Sequence, residues 1–170
     1  VNDVLASRFI AEPLRLLDCC LISDGGAAIV VSASAAARDT ARRGVTVLGT
    51  GQKNTHEHLV AAPSLTEFGC RDSAAQAFGR AGVTAADIDV AEIYDSFTIT
   101  VLMQLENLGF CAPGEGGRFV ADGGLLSGVG RLPVNTDGGG LCSNHPGNRG
   151  GMTKVIEAVR QLRVEAHPQL

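Results

Sequence analysis

A glycine-rich stretch surrounds a single histidine near the end of the sequence. The stretch reads GGGLCSNHPGNRGG, residues Gly138 to Gly151, and places His145 directly before Pro146. Glycine admits positive φ angles and a close approach of the backbone to a ligand. The stretch also leads into an amphipathic helix, whose first amides attract an anion or a developing negative charge. A histidine in this setting suits acyl chemistry as a base, an acid or an oxyanion donor, although a lone histidine is more often structural.

The sole tyrosine of the chain, Tyr94, lies in a second polar cluster, EIYDSF. It ends a predicted strand, Ile88–Tyr94, and open α/β sheets bind their ligands at the carboxyl ends of strands. The tyrosine either contributes to a site or packs in the core, and the sequence leaves both open. For Asp95 and Ser96 we favour a capping role at the start of the following helix.

The five cysteines form neither a disulfide framework nor a zinc motif. Their number is odd, two are adjacent and no C-x-x-C spacing occurs, so we expect reduced thiols in a cytoplasmic protein. Cys19 or Cys20 can act as a nucleophile only beside a base or a helix N-terminus, which a sequence does not show. A buried, unreactive thiol is therefore the default for both, and for Cys142 close to His145.

No feature of the sequence points to a metal, a nucleotide, a nucleic acid or a membrane. His56 and His58 have metal-like spacing, but no third ligand is evident and we favour a solvated loop. Neither a P-loop nor a dinucleotide-binding glycine motif occurs. The net charge is only −4 and no basic cluster is present, which argues against nucleic-acid binding. No apolar run is long enough to span a membrane, and the first residues lack the pattern of a secretory signal.

Alternating strands and helices must position these residues. Apolar runs predict strands at Ala27–Ala35, Val45–Thr50 and Ile88–Tyr94. The order predicts an α/β domain over residues 1–170, with a mixed, mostly parallel sheet flanked by helices. Three strands make a thin sheet for this length, so we expect a piece of a larger protein. The predicted helices are one closed by Gly44, one capped by Asp72 and ended by Gly82, one from Phe97 to Gly109, and one over Gly150–Arg163.

Two of these helices have an apolar side, and we expect that of the third helix to pack against another part of the protein. In the third helix it consists of Phe97, Val101, Leu105 and Leu108, and in the last helix of Val155, Ile156, Val159 and Leu162.

Three blocks of the sequence together resemble the C-terminal half of a thiolase. CCLISDGGAAIVVSA is similar to the segment that begins that half, and DIDVAEIYDSF resembles the strand and turn that carry N-E-A-F or H-D-C-F. LPVNTDGGGLCSNHPGNRGG resembles the N-x-N-G-G…G-H-P block, the most specific of the three. The paired cysteines and the Y-D-S-F variant are similar to the sterol-carrier-protein-x, or lipid-transfer-protein, branch. The resemblance covers nearly the whole chain in the right order and implies the thiolase fold.

The resemblance also implies roles for individual residues. His145 takes the place of the G-H-P histidine, which activates a nucleophilic cysteine and helps to form an oxyanion hole. Tyr94 falls where thiolases hold the oxyanion-hole water with Asn or His. The loop Gly51–Ser64 corresponds to a segment near the entrance for coenzyme A. The substrate-binding residues that the resemblance implies are Phe97, in the acyl pocket, Cys20, at the pantetheine arm, and Gly139 and Asn144, in the G-H-P block.

Four departures from the thiolase pattern bear on the reaction. The nucleophilic cysteine of thiolases belongs to their N-terminal half, and a second catalytic cysteine to a hairpin after the last helix. We expect neither segment within residues 1–170. Asn144 stands where G-H-P has glycine. Tyr94, in place of Asn or His, resembles the tyrosine of thiolase-like aldolases, where a hydroxyl with a pKa of ~10 takes part in deprotonating an alcohol.

The first function that the resemblance implies is acyl-CoA C-acyl transfer, meaning thiolysis or Claisen condensation of acyl-CoA thioesters. The alternatives are a thiolase-fold retro-aldolase for a steroid or branched side-chain acyl-CoA, and a non-catalytic acyl-CoA or lipid-binding protein. Coenzyme A enters as the thioester substrate, without a covalently bound cofactor or a metal. The implied partners are an N-terminal thiolase half that supplies the nucleophilic cysteine, further copies in a homodimer or homotetramer, and an OB-fold chain. We expect the 170-residue chain alone to be inactive.

Overall fold

The structure, a computed structural model, describes residues 1–143, 145–146 and 150–166. In this part of the chain, helices carry most of the regular structure. The helices are α1 (Asn2–Ala6), α2 (Ser34–Arg38), α3 (Cys70–Ala81), α4 (Thr98–Asn107), α5 (Gly116–Val120), α6 (Gly139–Cys142) and α7 (Gly150–Arg163). Strands β1 (Phe9–Ala11) and β2 (Leu14–Arg15) and 3-10 turns at Leu16–Asp18, Leu59–Ala61, Ala85–Asp87 and Ala121–Gly123 complete the elements.

The core forms around α4. Val101 and Leu105 are buried on one side of this helix, against Ala91, Ile93 and Leu132. The apolar side predicted for this helix is therefore confirmed at these two positions. Phe97, however, precedes the helix, where the backbone is still extended, and it is 39% exposed. The core thus fixes the segment around Ile93, which leads to Tyr94.

Backbone pairing is sparse among the described residues. Strands β1 and β2 form an antiparallel hairpin that the sequence did not predict. Elsewhere the pairing consists of single bridges: Cys19 with Phe97, antiparallel, and Ile22 with His145 and Ala91 with Val134, both parallel. Within the predicted strand Ile88–Tyr94, the structure has strand pairing only at the Ala91 bridge. The mostly parallel sheet stays a prediction.

Two predicted strands are wrong for the described chain. The segments Ala27–Ala35 and Val45–Thr50 contain no strand, and α2 begins within the first of them. Val30 is 96% exposed, so this apolar run has no packing partner within the described residues. A strand needs a neighbour for its backbone hydrogen bonds, and apolar composition alone does not supply one.

Two of the three glycines predicted to end a helix do so, whereas the predicted acidic cap at Asp72 is wrong. Gly82 has a φ of 71° and ends α3, and Gly109 has a φ of 85° just after α4, as predicted. Asp72 is not a cap, because α3 already begins at Cys70; its carboxylate lies 3.4 Å from Lys53 Nζ instead. The prediction that Gly44 closes a helix is also wrong, since α2 ends at Arg38.

Helix α7 has the predicted bounds, but its most buried side chains are charged rather than apolar. Its buried side chains are Lys154 and Glu157, whereas Val155 and Leu162 are exposed. Two of the four residues on the apolar side of this helix are therefore at the surface of the described chain. On the buried side of α7, Lys154 contacts the carboxylates of Asp95 and Asp137.

Candidate functional site

Tyr94 and His145, two separate candidates in the sequence analysis, form one hydrogen-bonded pair. Tyr94 Oη lies 2.6 Å from His145 Nε2, a short hydrogen bond between groups far apart in the chain. The ring centroids are 5.4 Å apart and the rings are tilted by 42°. A phenol and an imidazole in this contact can exchange a proton directly, which is the basic requirement of an acid–base pair.

The surroundings of Tyr94 keep its hydroxyl protonated near neutral pH. Burial raises the pKa of Tyr94, and the neighbouring Cys20 and Asp95 raise it further. A protonated phenol can donate its hydrogen to an unprotonated His145 Nε2. Its oxygen then keeps lone pairs for a proton from a bound substrate, so Oη can receive one proton while passing another to the imidazole.

His145 is held by the segment around Ser23. The His145 amide donates to Ser23 Oγ at 3.0 Å, the Ser23 amide donates to the His145 carbonyl at 3.4 Å, and Ile22 bridges His145 in parallel. The start of the chain therefore sets the position of a histidine near its end. Buried backbone N–H and C=O groups need hydrogen-bond partners, and Ser23 supplies them for His145. These contacts hold the backbone of His145 in place while its ring contacts Tyr94.

Tyr94 is held from two sides. The Tyr94 carbonyl accepts a hydrogen bond from Gln104 Nε2 of α4 at 2.6 Å. Just before it, the Ile93 amide donates to Asn135 Oδ1 at 2.8 Å. Asn135 has a φ of 50°, in the left-handed region that Asn tolerates better than most residues. The tyrosine thus extends from a backbone fixed by both the core helix and the loop before α6.

The buried carboxylate of Asp95 caps α6 rather than α4, the helix that the sequence analysis predicted. It does not cap α4, which begins at Thr98, and neither does Ser96. The Asp95 carboxylate instead accepts the Gly140 amide at 2.8 Å and the Leu141 amide at 3.1 Å. Asp95 is 2% exposed, so these charge-assisted bonds form away from water. They tie the residue after Tyr94 to the turn that leads to His145.

The glycines at 139 and 140 make room for this carboxylate and for the histidine ring. A Cβ on Gly139 would overlap Asp95 Oδ2, and Gly139 has a φ of 65°. A Cβ on Gly140 would meet Asp95 Oδ1 at 3.1 Å and His145 Cδ2 at 3.4 Å. Both glycines therefore serve the packing of Asp95 and His145, which is a different reason for their presence from substrate approach.

The remaining predicted site residues stand as follows. The Cys20 amide donates to the Ser96 carbonyl at 3.0 Å, and burial raises the pKa of the Cys20 thiol, so we expect an unreactive thiol beside Tyr94. The substrate-binding roles of Cys20, Phe97 and Gly139 stay predictions. Asn144 lies outside the described residues.

The sequence analysis missed a buried polar cluster beside Asp95, the residue that follows Tyr94. Lys154 and Glu157 of α7 lie there with Asp95, Asp137 and Glu92. Burial raises the pKa of Glu92 to about 7, and its Oε2 has no hydrogen-bond partner among the described residues. A signal was available, since polar residues recur at three- and four-residue spacing in α7, but such a stripe usually marks a solvated side.

The described residues contain no group of three or more metal-binding side chains, and His56 contacts the hydroxyl of Thr55. Within the same residues, no helix has the length and apolar character needed to cross a membrane.

Comparisons with known proteins place this chain among thiolase-like proteins. A model of the thiolase C-terminal domain-like family matches residues 51–170. The 17-hydroxy-3-oxo-4-pregnene-20-carboxyl-CoA lyase of Mycobacterium tuberculosis is 42% identical over 170 residues, covering 96% of this chain and 42% of the relative. An acetyl-CoA acetyltransferase of Methanothermobacter thermautotrophicus is 38% identical over 167 residues, covering 98% of this chain and 43% of the relative.

Among solved structures, an Ltp2-ChsH2(DUF35) aldolase superimposes with a TM-score of 0.86 at 39% identity, over 99% of this chain and 44% of that one. The resemblance to thiolases and the α/β thiolase-like fold are therefore confirmed. The chain spans less than half the length of each of these relatives.

Proposed function

This chain belongs to the thiolase family through its C-terminal domain, and we propose that it carries the acid–base pair of a carbon–carbon lyase acting on acyl-CoA thioesters. The observation that carries the proposal is the 2.6 Å hydrogen bond between Tyr94 Oη and His145 Nε2. The substrate class is a β-hydroxyacyl-CoA with a steroid or branched side chain, cleaved by a retro-aldol reaction. The lyase and the aldolase among the relatives support this choice of the first alternative over acyl transfer.

The reaction needs one proton removed and one returned. Tyr94 Oη takes the proton of the β-hydroxyl while its own proton passes to His145 Nε2. The freed electron pair on the β-oxygen forms a C=O bond, and the bond between Cα and Cβ breaks. Its electrons move into the thioester as an enolate, a proton returns to Cα, and a ketone or aldehyde leaves with a shortened acyl-CoA. The step conserves atoms and needs neither an oxidant nor a reductant.

The raised pKa of Tyr94 fits this role, because no phenolate has to exist in the resting site. A proton transfer through a neutral phenol costs less than forming a buried anion. The enolate oxygen needs donors as well, and the first amides of α7, which begins at Gly150, lack intrahelical partners. We propose that these amides stabilise the enolate oxygen.

Acyl transfer is the second candidate, and the similarity to an acetyl-CoA acetyltransferase favours it. In that reaction His145 activates a cysteine nucleophile from a part of the protein outside this chain, and Tyr94 orients a water. Both candidates use coenzyme A as a thioester and need no bound cofactor. Both also need an N-terminal thiolase half and further copies in a cytoplasmic dimer or tetramer, whereas an OB-fold partner chain belongs to the lyase candidate. The solved Ltp2-ChsH2(DUF35) aldolase carries two component names, which supports a partner chain for that candidate.

The test uses the full-length parent protein, purified together with any partner chain that it carries. One reaction receives a 17-hydroxysteroid carboxyl-CoA thioester, and a parallel reaction receives acetoacetyl-CoA with free coenzyme A. We expect mass spectrometry to find the steroid ketone and the shortened acyl-CoA in the first. His145→Gln should slow this cleavage by ~10²- to 10⁴-fold. Thiolysis of acetoacetyl-CoA without cleavage of the hydroxyacyl thioester would establish the second candidate instead.

A further inference from the structure

Helix α7 buries a lysine, Lys154, beside Asp95, the residue that follows Tyr94. Lys154 is 5% exposed, although lysine is among the residues least often buried. Burying an ammonium group is costly unless opposite charges accompany it. Neither the proton transfer proposed above nor the helix itself requires a charged group at this position, so its burial needs a separate reason.

Two carboxylates accompany the Lys154 ammonium. Its Nζ lies 3.5 Å from Asp95 Oδ1 and 3.6 Å from Asp137 Oδ1, and the two carboxylate side chains are 3% and 15% exposed. The Lys154 Nζ donates no hydrogen bond to another described residue, so the contacts are ion pairs. In this dry setting, attraction between opposite charges is weakly screened and holds the carboxylates in place.

The same carboxylates hold the backbone that leads to His145. Asp137 Oδ1 accepts the Gly139 amide at 2.9 Å, and Asp95 accepts the next two amides in sequence. These consecutive amides form the first turn of α6. The Gly140 carbonyl in turn accepts the Leu21 amide at 3.1 Å, next to the segment that binds His145.

Asp95 also follows Tyr94 directly in the chain, so one carboxylate connects both partners of the reacting pair. We infer that Lys154 is a positioning residue: through Asp95 and Asp137 it fixes the α6 turn, and thereby the contact between His145 and Tyr94. The inference rests on the proposed function for its kinetic consequence, but not for its structural one. A misplacement of about 1 Å in a catalytic group can lower the rate by about 100-fold.

The competing explanation is charge balance alone, in which Lys154 only neutralises buried acids. Glu92 and Glu157 lie in the same cluster, so this explanation needs a direct test. Lys154→Met removes the charge at similar length. Adding Asp137→Asn restores the net charge of the group while Lys154 stays absent. Charge balance predicts that the double variant behaves as the wild type, whereas positioning predicts that it does not.

The experiment combines hydrogen exchange and kinetics on the full-length protein with its partner chain. Exchange in peptides covering residues 138–143 reports on the α6 turn without any substrate, and cleavage of the hydroxyacyl thioester gives kcat and KM. For the double variant we expect about 10-fold faster exchange in these peptides and a kcat lowered by about 10- to 100-fold, with KM within about twofold. Arg118→Met, which removes an exposed cation of α5, is the matched control and should change neither.

Wild-type exchange together with wild-type kcat in the double variant would overturn the inference. Loss of folding in the double variant would overturn it too, since Lys154 would then serve the fold rather than the turn. Faster exchange in a parent protein that cleaves no thioester would support the structural part while refuting the proposed function. The two failures are therefore distinguishable.

Discussion

Replacing Gly139 with alanine tests the packing of the Asp95 carboxylate against the α6 turn. The change has two separable effects. Gly139 has a φ of 65°, where an L-residue costs about 1–2 kcal/mol. The new Cβ would also overlap Asp95 Oδ2 and come within 2.9 Å of Asn135 Nδ2. A carboxylate that is hydrogen-bonded to two amides and paired with Lys154 cannot move aside freely.

Displacing the carboxylate weakens at least one charge-assisted hydrogen bond, worth about 2 kcal/mol. Together with the backbone cost, Gly139→Ala should lower the free energy of unfolding by about 3–4 kcal/mol. Gly82→Ala is the matched control, because Gly82 has a φ of 71° and a Cβ there meets nothing within 4 Å. It should cost only the backbone part, about 1–2 kcal/mol.

Urea unfolding of the full-length protein measures both variants, with the change in midpoint multiplied by a common m value. The predicted result is a difference of about 2 kcal/mol between the two alanine variants. Equal destabilisation of both would refute the reasoning, since it would show that Asp95 does not pack against Gly139.

Two further predictions concern the same neighbourhood. Burial raises the pKa of Glu92 from 4.5 to about 7, so the folded protein keeps this proton while the unfolded chain releases it. The free energy of unfolding should therefore fall as pH rises from about 4.5 to about 7, by about 2 kcal/mol after screening, and Glu92→Gln should remove that fall. Thermal melts across this range check it, and parallel pH curves for the two proteins would contradict it. Ser23→Ala removes the acceptor of the His145 amide. It should lower the free energy of unfolding by about 1 kcal/mol and kcat by about 10-fold. Ser32→Ala, at an exposed serine, is the control. An unchanged kcat in Ser23→Ala would show that this bond does not position His145.

Local chemistry made several features predictable from the sequence. Gly82 and Gly109 mark helix ends because positive φ angles there favour glycine, and the structure has both. The bounds of α7 follow from its periodicity. Tyr94 and His145 were each identifiable as candidates from residue type and context. In each case the signal lies within a few residues of the feature.

Features that depend on distant parts of the chain were not predictable. The contact between Tyr94 and His145 joins segments that the sequence separates widely. Asp95 was recognisable as a capping residue, but its target, the α6 turn, follows only from the folded arrangement. Periodicity shows that the sides of α7 differ, yet it cannot show that Lys154 lies on the inner side, because burial depends on what packs against the helix.

The kinetic effect of Tyr94→Phe on two reactions of the full-length protein tests the proposed acid–base pair most directly. Phenylalanine keeps the ring and removes only the hydroxyl that contacts His145. Thr40→Val, which removes an exposed hydroxyl at the end of α2, is the control and should change neither rate. We predict that Tyr94→Phe lowers kcat for cleavage of the hydroxyacyl thioester by ~10²- to 10⁴-fold with little change in KM. Cleavage at the wild-type rate, or turnover in the wild type confined to acetoacetyl-CoA thiolysis and largely kept in Tyr94→Phe, would contradict the lyase proposal.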